Sequence, residues 1–330
     1  MSQNNHSSPT TTTIPAYYMS PMSGDDEIDL LELWNALLIR KFLILFVFTL
    51  GVAVSIGIAL WLPNVYTSTA TLVPSEEQKG SGLSALANQF GGLASLAGVN
   101  IGGGATNDKA SVAIEIANSR QFRVRFVHEH HLEVALMASN GVNKKTGELK
   151  IDSKIYDVQQ QRWVRHVSEG RAAVPTDWEL FKVINKLITI TQDKKSGFVT
   201  VSVDFYSPQL AKQWTDWFIA DLNQYMKNRD QVEAKRNIAY LKQQLEKTSV
   251  ADMQTVFYQL IEEQTKTLML SEVNPEYVFK TLDPAVVAEE KTKPKRALIV
   301  ILGGILGGMF GVIIALIKYA ANRRNKSVAA

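Results

Sequence analysis

Two apolar runs without a charged residue, Phe42 to Leu62 and Ala297 to Ile317, bracket most of the polar sequence of this chain. A bilayer core of about 30 Å takes roughly 20 residues at about 1.5 Å each, so both runs are long enough to span. A signal peptide does not fit the first run. It begins behind an acidic Asp25-Asp26-Glu27 cluster and closes on Trp61-Leu62-Pro63 where a small-residue cleavage site would be needed. The pattern predicts a membrane hairpin carrying one large loop domain.

Outside the spans the periodicity changes several times. Residues Met1 to Gly24 are rich in Ser, Thr, Asn and Pro with no repeat of apolar positions, and predict a disordered tail. Ile28, Leu31, Trp34, Leu37 and Leu38 fall at helical spacing and predict an interfacial helix over 25–41. Tyr66 to Val73 is dense in Thr and β-branched residues, which predicts a strand. Gly80 to Gly104 surrounds a small apolar run, Leu83 to Leu96, and fits either a mobile loop or a short helix with flexible ends. Helix is predicted over Lys109 to Ala117, and Ser119 is placed to cap a second helix through Phe122, Phe126 and Val127. A surface insert is expected around Asn140 to Gly147, then a turn at Pro175 and a helix over Trp178 to Lys186.

Strict alternation marks Phe198 to Phe205, with Val199, Val201, Val203 and Phe205 on one face. With Leu187 to Gln192 and a turn at Lys194 to Gly197 it makes a hairpin. Ser207-Pro208 is a helix start, a side-chain cap followed by proline where a missing N–H costs nothing. Helical sequence then runs to about Ser271, and an unbroken rod of that length would reach about 95 Å. Ser249 with Asp252 offers a new capping signal, so two helices folded back around Thr248 to Ala251 are expected. Tyr277 to Leu282 can return to the sheet as a strand, and Asp283-Pro284 opens the approach to the second span.

Charge and composition narrow the function classes. A net charge of +3, from 35 basic and 32 acidic residues interspersed along the chain, does not make a nucleic-acid surface. With no cysteine there is no disulfide, thiolate nucleophile, thiolate metal site or lipoprotein anchor. Arg40 and Lys41 precede the first span and Lys318, Arg323, Arg324 and Lys326 follow the second, which predicts both termini in the cytoplasm. Lys291, Lys293, Lys295 and Arg296 lie on the other side, but long loops translocate largely regardless of charge.

After residue 24 the chain resembles the Wzz-type O-antigen chain-length determinants, also called polysaccharide co-polymerases. The resemblance rests on Glu27-Ile28-Asp29-Leu30-Leu31-Glu32-Leu33-Trp34, Tyr66-Thr67-Ser68-Thr69-Ala70, Asp193-Lys194-Lys195-Ser196-Gly197, Tyr206-Ser207-Pro208, Ala211-Lys212-Gln213-Trp214 and Pro294-Lys295-Arg296-Ala297. The family usually carries several prolines before the second span, and only Pro284 and Pro294 are present here. The resemblance implies an α+β protein of a Gram-negative inner membrane, with two transmembrane helices flanking a periplasmic α/β base and a long helical hairpin. It also implies ring-like homo-oligomers that set the modal length of a lipid-linked polysaccharide made by a Wzy-type polymerase. The expected divisions are a cytoplasmic tail at 1–24, an interfacial helix at 25–41, spans at 42–62 and 297–317, and a second tail at 318–330. Between the spans, 63–296 divides into a base at 63–206 and 273–290 and a helical projection at 207–272.

The candidate chemistry is sparse. Gly303, Gly304, Gly307, Gly308 and Gly311 form overlapping small-xxx-small pairs, the pattern that lets helix backbones approach closely in lipid. Gly51 with Ser55, and Ala53 with Gly57, could supply the complementary face on the first span. His128, His130 and His131 with Glu129 and Glu133 look like a metal cluster but lack a third ligand at matching spacing, and read as a solvated helix end. Glu246, Glu262 and Glu263 sit among Lys and Gln, so no acid–base pair can be named for glycan hydrolysis. No G-x-x-x-x-G-K-[ST] occurs, which separates the chain from the related tyrosine autokinases, whose cytoplasmic domain is also missing. No catalytic residue, cofactor or metal is therefore expected.

Arg236, Tyr240, Gln243 and Lys247 share a helix face and are candidate partner-facing positions, with coiled packing as the competing reading. Expected partners are a second copy of the chain, a Wzy-type polymerase, lipid-linked glycan and membrane lipid. The leading function is a non-enzymatic scaffold that regulates chain length. The alternatives are an adaptor subunit of a polysaccharide exporter and a two-span periplasmic sensor, the latter disfavoured by a tail after Ile317 too short for a transmitter.

Overall fold

The computed structural model describes residues 37–75, 105–143, 146–168 and 170–328. The expected tail at 1–24, the interfacial helix as far as residue 36 and the Gly80 to Gly104 segment lie outside the described residues. The chain divides into two compact units, one made of residues up to 56 with those from 299 on, the other of residues 57–298.

The first unit holds most of α1 (Lys41–Trp61) and of the C-terminal α8 (Arg296–Val328), packed as a helix pair. Lys41–Trp61 and Arg296–Tyr319 are long and apolar enough to cross a membrane. Their surface is inverted relative to a protein that folds in water. Phe42 and Phe46 are 75% and 69% exposed, whereas the residues buried in the pair are small, Ser55 at 6% and Ala315 at 1%. Large apolar side chains outside and small ones at the contact suit hydrocarbon as solvent, where backbone proximity replaces hydrophobic exclusion. The hydroxyls are satisfied locally, Thr49 donating to the Leu45 carbonyl at 2.6 Å and Ser55 to that of Val52 at 2.9 Å.

The second unit is built on a four-stranded antiparallel sheet in the order β6-β7-β1-β8. These strands are β1 (Tyr66–Pro74), β6 (Ile188–Gln192), β7 (Val199–Phe205) and β8 (Phe279–Asp283). β1 lies against β7 in register from Tyr66 opposite Phe205 to Leu72 opposite Val199. The predicted alternation holds, because Val199, Val201, Val203 and Phe205 are all buried. On the other face, Thr67 donates to the Asp204 carboxylate at 2.5 Å and Lys293 reaches the same carboxylate at 2.6 Å. The β6–β7 turn is closed by Asp193, whose carboxylate accepts from Lys195 N and Ser196 N at 2.7 and 3.2 Å and is thereby held below the usual carboxylate range. Gly197 takes the positive φ of +75° that follows.

Helices α2 (Ala105–Asn118), α3 (Arg120–Glu129) and α5 (Asp177–Leu187) build the core with α6 (Pro208–Lys247). Ser119 caps α3 as expected, accepting from Phe122 N at 3.2 Å. Thr176 and Glu179 form a capping box on α5. Phe218 of α6 meets Phe122 and Phe126 of α3 edge-on, both at 5.4 Å between centroids. Five elements went unpredicted: α4 (Glu133–Ala138), the paired strands β2 (Ser139–Val142) and β3 (Leu149–Ile151), and the paired strands β4 (Tyr156–Asp157) and β5 (Arg162–Trp163). Residues 140–142 of the expected insert thus belong to a strand paired with Leu149–Ile151, both strands too short to carry a readable alternation.

Ser207 caps α6 by accepting from Leu210 N at 3.4 Å, with Pro208 at the first helical position. The 40-residue α6 does two jobs. Ala211, Trp214, Phe218, Leu222 and Met226 in its first half are buried in the core, so only its second half is free to pair with α7 (Ala251–Val273). The fold-back falls where expected, but the expected Ser249 cap does not form. The capping position is Val250, without a side-chain bond, and Gln254 instead ties the turn by donating to the Thr248 carbonyl at 2.8 Å. Asn223 anchors the return: its amide oxygen accepts from Val278 N and Phe279 N, both at 2.9 Å, and its nitrogen donates to the Phe279 carbonyl at 3.0 Å.

Candidate functional site: a glycine helix contact and an exposed helix face

The glycines of α8 meet α1 backbone to backbone. A Cβ on Gly307 would lie 3.2 Å from the Val47 carbonyl oxygen and 3.3 Å from Gly51 Cα, and one on Gly311 would lie 3.1 Å from Ile44 Cα. A Cβ on Gly51 would stand 3.0 Å from both the Gly303 carbonyl oxygen and Gly307 Cα. Gly303 has no room for one, because Ser55 Cβ and Oγ occupy the place. Gly304 and Gly308 face Phe48, at 3.2 and 3.6 Å. Gly51 and Ser55 therefore make the complementary surface. The second pair named for it does not: Ala53 is exposed, and a Cβ on Gly57 would meet nothing within 4 Å. The two pairs point to opposite sides of one helix, since a two-residue step turns about 200°.

Arg236, Tyr240, Gln243 and Lys247 are all exposed on α6. The buried and half-buried positions between Ala234 and Lys247 are Ala234, Asn237, Ile238, Leu241, Gln244 and Leu245, and Asn237 Nδ2 donates to Gln264 of α7 at 3.3 Å. Large apolar side chains also remain exposed on the hairpin, among them Val232, Tyr258, Met269 and Leu270.

The histidine cluster is more than a solvated helix end. His128 Nδ1 is 2.8 Å from Glu133 and its Nε2 is 3.0 Å from Asp177, so one imidazole joins α3 to the starts of α4 and α5. His130 stacks on Trp217 at 4.3 Å and bonds Asp221 at 2.8 Å. Among the described residues no group of three or more His, Asp or Glu is arranged to hold a metal. The hydrogen bonds to Asp177 and then Glu133 raise the His128 pKa above 6.5. A raised folded pKa stabilises below the unfolded value, and the contribution is lost as pH rises through the folded one. His128→Gln is accordingly expected to lower the melting temperature more at about pH 5.5 than at about pH 8.5. An equal loss at both would mean that the imidazolium is not the stabilising form.

A buried residue that periodicity did not single out is Arg123, 1% exposed. It donates to the Ala117 carbonyl at 2.9 Å, the Ile188 carbonyl at 3.0 Å and Asn118 Oδ1 at 2.8 Å, pinning α3 to the end of α2 and the start of β6. Burial lowers its pKa to about 10, so it remains charged at neutral pH. Sequence alone carries no signal for it, since an arginine on a helix is usually solvated.

Residues 26–130 match the family described as chain length determinant protein, Wzz, and residues 242–320 match that described as G-rich domain on putative tyrosine kinase. Among solved structures, a full-length bacterial polysaccharide co-polymerase is 14% identical, with 90% of this chain and 99% of that one covered and a TM-score of 0.38. A fragment of WzzB, a polysaccharide co-polymerase from Salmonella Typhimurium, is 14% identical over 69% of this chain and 99% of its own, with a TM-score of 0.28. No curated protein matches the sequence significantly. The chain thus carries a Wzz chain length determinant domain over residues 26–130 and, over residues 242–320, a G-rich domain of the kind described on a putative tyrosine kinase.

Proposed function

We propose that this protein sets the modal length of a lipid-linked surface polysaccharide, the O-antigen of lipopolysaccharide. It does so as a non-enzymatic scaffold in a bacterial inner membrane, where a ring-like homo-oligomer engages a Wzy-type polymerase, the growing glycan, or both. The observation that carries this reading is the chain length determinant match over residues 26–130. Both termini lie in the cytoplasm and the unit between the spans in the periplasm. The basic flanks Arg40 and Lys41, and Lys318, Arg323, Arg324 and Lys326, support that orientation. Assembly is supported by the exposed apolar side chains of the α6–α7 hairpin, a surface of the kind that oligomers cover. Arg236, Tyr240, Gln243 and Lys247 on the same hairpin are the positions offered to a partner.

A second reading is favoured by the match of residues 242–320 to a domain described on a putative tyrosine kinase: an adaptor subunit of a polysaccharide exporter, working with a separate ATPase. One gel separates the two. Deleting the gene is expected to turn a clustered lipopolysaccharide ladder into a random distribution of shorter chains. Loss of all long polymer would instead favour the exporter adaptor, and an unaltered ladder would sink both.

A further inference from the structure

A groove of about 530 Å³ opens on the surface of the α1–α8 pair, lined by Lys41, Phe42, Ile44, Leu45, Phe48 and Gly308. Gly308 leaves it open by having no side chain, and a Cβ there would touch only Phe48, at 3.6 Å. Within a bilayer such apolar walls are covered by hydrocarbon, so what distinguishes this groove is its mouth. Lys41 is exposed there, its Nζ 5.6 Å from the Phe42 ring centre. At the same end the Arg40 guanidinium crosses to α8 and donates to the Lys318 carbonyl at 3.1 Å. No Asp or Glu occurs in residues 33–62 or 297–330, so neither helix supplies a counter-charge to this end.

We propose that the groove binds one acyl chain of an anionic phospholipid, whose phosphodiester is held by Lys41 with Arg40 beside it. Basic sites between membrane helices select anionic headgroups on this principle, whereas a zwitterionic lipid brings an ammonium that Lys41 repels. The inference rests on the membrane-spanning reading of α1 and α8 and stands apart from the chain-length role.

The test is native mass spectrometry of the full chain in micelles containing equal phosphatidylglycerol and phosphatidylethanolamine. The wild type is expected to retain phosphatidylglycerol preferentially, and K41Q to lower that preference about fivefold, the weight of one cation near an anionic headgroup. G308L fills the groove and is expected to lose both lipids while G308A, whose methyl fits, keeps them. If G308L fails to fold, K41Q, a change at an exposed side chain, carries the test alone. Equal retention of the two lipids by the wild type, or an unchanged preference in K41Q, overturns the proposal. Displacement of phosphatidylglycerol by an equimolar isoprenyl diphosphate would overturn it too, assigning the groove to a lipid-linked carrier.

Discussion

Leucine in place of Gly307 is expected to part α1 from α8 and to abolish modal-length control. A Cβ at 307 already falls 3.2 to 3.3 Å from three backbone atoms of α1, and backbone cannot swing aside as the tip of a side chain can. In a bilayer the helices could not gain elsewhere what they lose, because lipid is as apolar as leucine and such a contact is held by packing alone. The overpacking is expected to cost roughly 2 kcal/mol or more, read as a lower melting temperature of the full chain in detergent. Gly51→Leu should behave alike, its Cβ meeting the backbone of Gly303 and Gly307 at 3.0 Å. Gly57→Leu is the control, for the same change in the same helix meets nothing within 4 Å. If all three variants melt together, or if Gly307→Leu leaves both stability and the polysaccharide ladder unaltered, the glycine contact is not what joins the spans.

The second large effect is expected at Arg123. Truncation to alanine leaves a cavity and strips the donor from two backbone carbonyls and one amide oxygen. Each orphaned group, if it stays buried, costs about 1–3 kcal/mol. A total loss of roughly 4 kcal/mol is expected, enough to unfold a marginal domain at growth temperature. Arg123→Met should be milder, because it fills much of the volume and removes a cation that burial opposes. Chemical denaturation of the full chain decides between these outcomes. An alanine variant within about 1 kcal/mol of the wild type would mean that water replaces the guanidinium, and the pin would be dispensable.

The elements that could be read from sequence are those specified by signals a few residues apart. Alternation at Val199 to Phe205, the Ser119 and Ser207 caps, Pro208 at a helix start and Gly197 in a turn all act within one turn or one strand pair. The two helices long and apolar enough to cross a membrane were legible for a related reason: an apolar run of the right length needs no partner to declare itself. The Ser249 signal failed because a serine cap competes with other ways of closing a turn, and here Gln254 closes it from the far side.

Everything that depended on a distant partner was left to the tertiary structure. Sequence determined that the second span carries a stripe of glycines and that the first carries two small-residue pairs, but a pair at 51 and 55 and one at 53 and 57 satisfy the same spacing rule. Only the approach of α8 chose Gly51 and Ser55 over the other side of the helix. The placing of β8 beside β1, about 200 residues earlier in the chain, was likewise decided by long-range contacts, the Asn223 bonds from α6 among them. Arg123 is the plainest case: nothing near it in sequence marks it as buried, and three acceptors gathered from α2 and β6 are what make a cation tolerable in the core. Local chemistry chose the elements and burial chose their neighbours, because a capping bond is closed by residues in one turn whereas a buried surface exists only after two elements meet.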